Sequence, residues 1–200
     1  MLFDPHRPGH ESTYHPGDTN MLMADIAIIN KVDSASPENI EKVKESIQKH
    51  NPRAIIVTAE SVVKPEMPDM IAGKRVMIIE DGPTLTHGEM AYGAGVLAAR
   101  RFHAAEIVDP RPHLKGTLRK TFEKYPHIGA LLPAMGYSRQ QIRDLEETIN
   151  QTDCDLVLAA TPIDLSKIIS IQKPVMRVRY EYGDTGSPTL EEILKEKLGE

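Results

Sequence analysis

The chain has 200 residues, 40% of them hydrophobic and 26% charged, with a net charge of −5 and a single cysteine. That length allows one large domain or two small ones around a sizeable core. The acidic balance excludes general affinity for nucleic acid or anionic membrane. Lone Cys154 excludes an intramolecular disulfide and fits a reducing compartment. No apolar run reaches the roughly 18 residues of a membrane span, and the opening MLFDPHRPGH has no signal-peptide core. A cytoplasmic protein is expected.

The chain reads as alternating strands and helices. Residues 26–29 form a short apolar run. Ser36 and Pro37 then supply an N-cap and a first helical position, with Ile40, Val43 and Ile47 recurring at helical spacing. Residues 54–57 read as the next strand. The two prolines and weak periodicity of 60–74 read as a connection. The expected division is residues 1–62 and residues 75–200. Beyond it, strands are expected at 76–79, 106–108, 128–132, 156–160 and 175–178. Helices are expected near 89–101, 116–124, 138–149 and 165–170, and after Ser187-Pro188. Ser138 and Gln141 stand at capping-box spacing. The strands are aliphatic and mostly do not alternate, as in a parallel sheet buried on both faces. The fold predicted is therefore α/β: a doubly wound, mostly parallel, Rossmann-like sheet in three α/β/α layers, related to P-loop NTPases.

In such sheets ligands bind beyond the carboxyl ends of the strands. Asn30-Lys31-Val32-Asp33 directly follows a strand and matches the N-K-x-D pattern by which GTPases read guanine. A carboxylate at Asp33 can accept two hydrogen bonds from a base edge. Asn30 can hold the loop, and the Lys31 stem can pack on the base. Thr58-Ala59 after the next strand resembles the loop whose backbone N–H supports the base carbonyl. The plainer alternative is that Asn30 and Asp33 cap a turn.

Asp4, His6, Arg7, His10 and Glu11 gather carboxylates, imidazoles and a guanidinium in one loop. Asp4 is the candidate Mg²⁺ ligand and Arg7 the candidate phosphate ligand; a solvated tail is the alternative. Glu80, Asp81, Thr84, Thr86 and His87 leave a strand and enter a helix, which suits a metal–phosphate or substrate site, or only a capping loop. Arg111, between two prolines and beside Asp109, is a candidate anion ligand. Thr161-Pro162-Ile163-Asp164 resembles a second polar switch, although Asp164 can equally cap a helix. Arg177 and Arg179 alternate near the end, on an exposed face or toward a ligand. Cys154 has no partner pattern and reads as a structural thiol. No G-x-x-x-x-G-K-[ST] occurs. A preceding segment or a companion subunit is therefore expected to supply the phosphate cradle.

The stretches DPHRPGHE, NKVD, EDGPTLTHGEMAYGAG, EIVDPRP, FEKYPHIGALLPAMGYS and KPVMRVRYE resemble the C-terminal part of cyclic 2,3-diphosphoglycerate synthetases and their GTPase-like relatives. The resemblance implies an enzyme that uses ATP and Mg²⁺ to close an intramolecular phosphoanhydride in 2,3-diphosphoglycerate, with its P-loop in a preceding segment. It implies that Asn30, Lys31, Asp33, Thr58 and Ala59 face the nucleotide, and that the Asp4–Glu11 loop lies near the γ-phosphate. Strand-end position, rather than the resemblance, assigns Glu80, Asp81 and His87 to catalysis, beside Asp4, His6, Arg7, His10 and Glu11, and Thr84, Thr86, Asp109 and Arg111 to the substrate. NKVD favours GTP where the named reaction uses ATP. A GTPase-like switch with no small-acid substrate is the alternative function.

Overall fold

The computed structural model describes residues 1–13, 15–86, 90–135 and 138–199. They form two compact units, one of residues 1–62 with 181–200 and one of residues 63–180.

In the first unit, β1 (Leu2–Phe3), β2 (Ile26–Ile29) and β3 (Ile55–Pro65) lie side by side. All are parallel, with Phe3 opposite Ile29 and Ile29 opposite Thr58. Short helices α1 (His10–Thr13) and α2 (Gly17–Met23) join β1 to β2, and His10 and Glu11, expected in a loop, fall in the first of them. Helix α3 (Pro37–His50) starts as expected: Ser36 accepts from the Asn39 N–H, and Pro37 occupies the first turn, where its missing N–H costs nothing. Val43 and Ile47 pack with Phe3, Met21, Ala27 and Ile29. Buried Asn51 donates to the Met21 and Ala24 carbonyls, tying the end of α2 to the end of α3.

β3 does not stop at Val57. It continues through Thr58-Ala59 to Pro65, so Thr58-Ala59 is strand and not the loop expected there. The returning chain supplies the reason: Thr185 N–H donates to the Thr58 carbonyl and Thr185 Oγ1 to Thr58 Oγ1, giving the backbone ladder partners it lacks as a loop. Residues 181–200 consequently fall in the first unit, whereas the sequence had assigned them to the second. The last helix, α8 (Leu190–Leu198), is capped by Thr189 and Glu192 rather than by Ser187.

In the second unit β4 (Arg75–Asp81) is central. On one side it pairs in parallel with β7 (Leu156–Ala160), which pairs in parallel with β8 (Val175–Asp184) from Val175 to Arg177. On its other side β5 (Glu106–Ile107) covers only Arg75 and Val76, and β6 (Leu132–Ala134) covers Ile79 to Asp81. Both faces are buried. Val76, Ile78, Leu156 and Leu158 form one core with α5 (Ala94–Arg101). Met77, Ile79, Val157 and Ala159 form the other with α6 (Gly116–Lys124) and α7 (Arg139–Gln151). This is the α/β/α layering expected from strands that do not alternate in polarity. The Ser138–Gln141 capping box is formed. Residues 82–86, expected as loop, form a single helical turn, α4 (Gly82–Thr86). The strand expected at 128–132 lies later, at Leu132–Ala134.

Candidate functional site

In the first unit, the parallel register brings the ends of β1 and β2 and the middle of β3 level. Asn30 N–H donates to the Phe3 carbonyl and Val32 N–H to the Ala59 carbonyl, so the Asp4 and NKVD loops leave the sheet side by side. Lys31 Nζ lies 2.7 Å from Asp4 Oδ2, and Arg7 Nη2 lies 3.1 Å from the same oxygen. Asp4 Oδ1 accepts from His6 N–H. Burial raises the Asp4 pKa, but the Lys31 hydrogen bond and charge, the His6 N–H and the Arg7 charge outweigh it and hold the carboxyl below its ordinary value. His6 Nε2 meets Ser34 Oγ at 3.0 Å. Burial lowers the His6 pKa against the pull of Asp4. Asp33 Oδ1 accepts from Ser61 N–H.

Two details of the NKVD loop are unusual for a capped turn. Lys31 has φ of +60°, in the left-handed region that a residue with a long side chain rarely adopts. Such strain persists where surrounding structure imposes it, and it concentrates at functional sites. Asn30 Oδ1 is buried and has no hydrogen-bond partner among the described residues. Leaving such an acceptor unpaired costs about 1–3 kcal/mol.

The loop brings together Asp4, His6, Arg7, Lys31, Asn30 and Asp33, and the pairing of Asp4 with Lys31 links two segments that the sequence alone could not connect. Ser34 and Ser61 are partners that the motif does not announce. Ala59 is fully buried and positions the NKVD loop through its carbonyl; Thr58 is engaged with Thr185. His10 begins α1, and Glu11 accepts from Gly9 N–H within the same loop.

Asp4 does not fit the role of a Mg²⁺ ligand as it stands. Both oxygens accept hydrogen bonds, one of them from two cationic side chains, and a divalent ion would have to displace them. Among the described residues no group of three or more His, Cys, Asp or Glu side chains converges as a metal site.

In the second unit Glu80 is not in a loop. It is the penultimate residue of β4 and only 2% exposed. Its Oε1 accepts from the N–H groups of Gly93, Gly95 and Val96 at 3.1, 2.8 and 3.2 Å. Those are orphan donors at the start of α5, so Glu80 caps that helix from inside the core. The glycines are required by close approach. A Cβ on Gly93 would stand 2.6 Å from Glu80 Oε2, and one on Gly95 2.6 Å from Ile78 Cγ2. Burial pushes the Glu80 pKa up to about 7, against the three N–H donors that favour the carboxylate.

Asp81 accepts from the Thr84 hydroxyl at 3.3 Å, while Thr86 donates to the Gly82 carbonyl. His87 lies outside the described residues. Asp109 and Arg111 hold each other, with Arg111 Nη2 2.7 Å from Asp109 Oδ2. Their strand runs beside the start of β4, and Val108 N–H donates to the Val76 carbonyl, which places Asp109 short of the β4 end. The structure thus draws Asp81 and Thr84 together and leaves Asp109 and Arg111 as a separate exposed turn. Asp164 bonds Ser166 and faces Lys167.

With these arrangements in view the chain's relatives become informative. No family model matches the chain. It is 54% identical over 196 residues to the arginine synthetase ArcE of Thermococcus kodakarensis, a match that covers 98% of the chain and 44% of that protein. That relative is, by name, a synthetase. The likeness therefore runs to an enzyme of the synthetase type, as the motifs implied, although its name is not that of a cyclic 2,3-diphosphoglycerate synthetase. The chain spans less than half the length of this curated relative. No helix of the described residues is long and apolar enough to cross a membrane.

Proposed function

We propose that the chain is the base-reading and substrate-bearing part of a nucleotide-driven, ligase-type synthetase acting on an amino acid in an arginine-forming reaction. The observation that carries the nucleotide half is the NKVD loop: a left-handed Lys31 beside a buried, unpaired Asn30 Oδ1, level with the Asp4–Lys31 pair at a parallel strand end. ATP or GTP would place its base against Asp33 and the Lys31 stem, with its phosphates toward Arg7. A P-loop from a preceding segment or companion subunit would cradle those phosphates and bring a partner for Asn30. Mg²⁺ enters as the ion that a nucleotide carries on its phosphates, not as one held by Asp4. The part played by this chain's residues is charge placement and alignment, the main resource in phosphoryl transfer.

The amino-acid substrate rests on the relative's name. A second reading, closure of a phosphoanhydride in 2,3-diphosphoglycerate, rests on the long motifs shared with that family. The charge at the second unit's main strand end favours the first reading. Asp81 stands there, and Arg111 is already paired, a poor setting for a substrate bearing two phosphates.

Calorimetric titration tests this, with the P-loop-bearing polypeptide present and ATP or GTP, or the ADP or GDP that accompanies a product such as L-arginine, added in Mg²⁺. Each titration is run alone, with L-arginine, and with 2,3-diphosphoglycerate. Nucleotide binding coupled to L-arginine is the expected result. Coupling to 2,3-diphosphoglycerate instead selects the second reading. GTP binding indifferent to both removes the synthetase altogether and leaves a GTPase-like switch.

A further inference from the structure

The second unit contains a cavity of about 450 Å³ that is lined by none of Glu80, Asp81, Asp109 and Arg111. On β8, Met176 and Val178 point into one core. By alternation Arg177 points to the other face, where it stands opposite Ala159 of β7. On that face Leu145 and Ile149 of α7 pack in the core of β4 and β7, together with the turn containing Leu165 and Ile169. The space left over β7 and β8 is the cavity. Ala159, Ile163 and Ile169 give it an apolar wall, while Arg177, Glu66 and Asp164 bring charge to it.

The three charges are not equivalent. Glu66 has Arg179 at 3.6 Å, and Asp164 has Lys167 at 3.4 Å. Among the described residues the half-buried Arg177 guanidinium has neither an ion pair nor a hydrogen bond. A guanidinium presents a fixed fork of donors that matches a carboxylate in two parallel bonds. Half-burial beside an apolar wall strengthens that attraction relative to water. Glu66 and Asp164 are thus already offset by cations outside the lining, which leaves Arg177 as the charge open to a ligand carboxylate, while the two carboxylates can still accept from a ligand that carries its own ammonium. The aliphatic wall asks for methylene groups between or beyond those charges.

We infer that this cavity binds an amino-acid zwitterion with an unbranched aliphatic side chain, its carboxylate on Arg177, its chain along Ala159, Ile163 and Ile169, and its ammonium toward Glu66 and Asp164. The inference deepens the synthetase reading by giving the amino acid a place, and it rests on that reading only for its biological meaning. The binding itself needs no nucleotide, so the two can fail separately.

The test is titration of the 200-residue chain with L-norleucine, followed through the methyl resonances of Ile163 and Ile169. n-Pentylamine, which lacks the carboxylate, and inorganic phosphate are run in parallel. L-Norleucine is expected to shift both methyls saturably, with n-pentylamine weaker by about tenfold or more, the scale of a lost charge-assisted bidentate contact. Arg177→Met is expected to weaken L-norleucine by a similar factor at an unchanged melting temperature. Equal binding of L-norleucine and n-pentylamine by the unaltered chain overturns the inference without any variant having to fold. So does displacement of L-norleucine by phosphate, or the absence of any shift at the two isoleucines.

Discussion

Asp4 and Glu80 both stand at the carboxyl end of a parallel strand, yet they are different physical objects. Asp4 is partly exposed and is held by charge, between Lys31 from the neighbouring loop and Arg7 from its own. Glu80 is buried and is held by backbone N–H groups, with no cation among its partners. Opposite charges draw the first pKa down, and burial drives the second up. An acid after a strand is thus one signal for two roles. A network that stays near solvent can be rearranged by a ligand, whereas a carboxylate that closes a helix inside the core is part of the scaffold.

The contrast is broken most directly at Glu80. Glu80→Ala leaves three buried donors unpaired and opens a cavity, with an expected loss of about 3–5 kcal/mol in denaturant unfolding. Glu80→Gln keeps an acceptor and should lose far less. If the alanine variant unfolds as readily as the glutamine variant, the capping role is wrong.

The pH dependence should differ in sign between the two acids. Glu80 has a folded pKa of about 7 against an ordinary value of 4.5. Its contribution is therefore full below pH 4.5 and is lost as pH rises through 7, by about 3 kcal/mol. Asp4, with its pKa lowered from 3.8, contributes in the other direction: the stability is present above 3.8 and is lost as pH falls through the folded pKa. Unfolding measured between pH 4.5 and 7 in Glu80→Gln should lack the downward slope of the parent chain.

Smaller effects sharpen the picture. Gly95→Ala drives a methyl toward Ile78 and Glu80 and should cost about 1–3 kcal/mol in thermal unfolding, the usual scale of overpacking. Lys31→Met takes a cation from a pair still open to solvent, so about 1 kcal/mol or less is expected in stability. Arg111→Ala breaks an exposed pair within one turn and should change stability by about 0.5 kcal/mol or less. A large loss on Arg111→Ala would mean that the exposed turn is structural after all.

The parts legible from residues alone are those decided locally. The α3 start was readable because Ser36 and Pro37 complete their own helix end, and the Ser138–Gln141 box because both partners lie within one turn. The aliphatic runs of β4 and β7 announced burial on both faces, and the structure has it. NKVD was readable as a loop after a strand, since four residues carry the whole pattern.

Tertiary structure alone decided whatever depends on a distant partner. β3 runs on through Thr58-Ala59 because Ile29 and Val32 on one side and Thr185, far along the chain, pair with it, and no local propensity encodes those partners. Glu80 became a helix cap because Gly93 and Gly95 leave room for it, although in the sequence Glu80 looked fit for a substrate loop. Arg111 looked free in the sequence and is held by Asp109. Arg177 looked like one of two equivalent strand arginines, but only Arg177 lines the cavity, beside a wall contributed by β7 and the turn that follows it. Composition and spacing determine which groups are present and which segments are strand or helix. Whether a charge is paired, buried or left facing a cavity is set by neighbours that only the folded chain brings within a few ångströms.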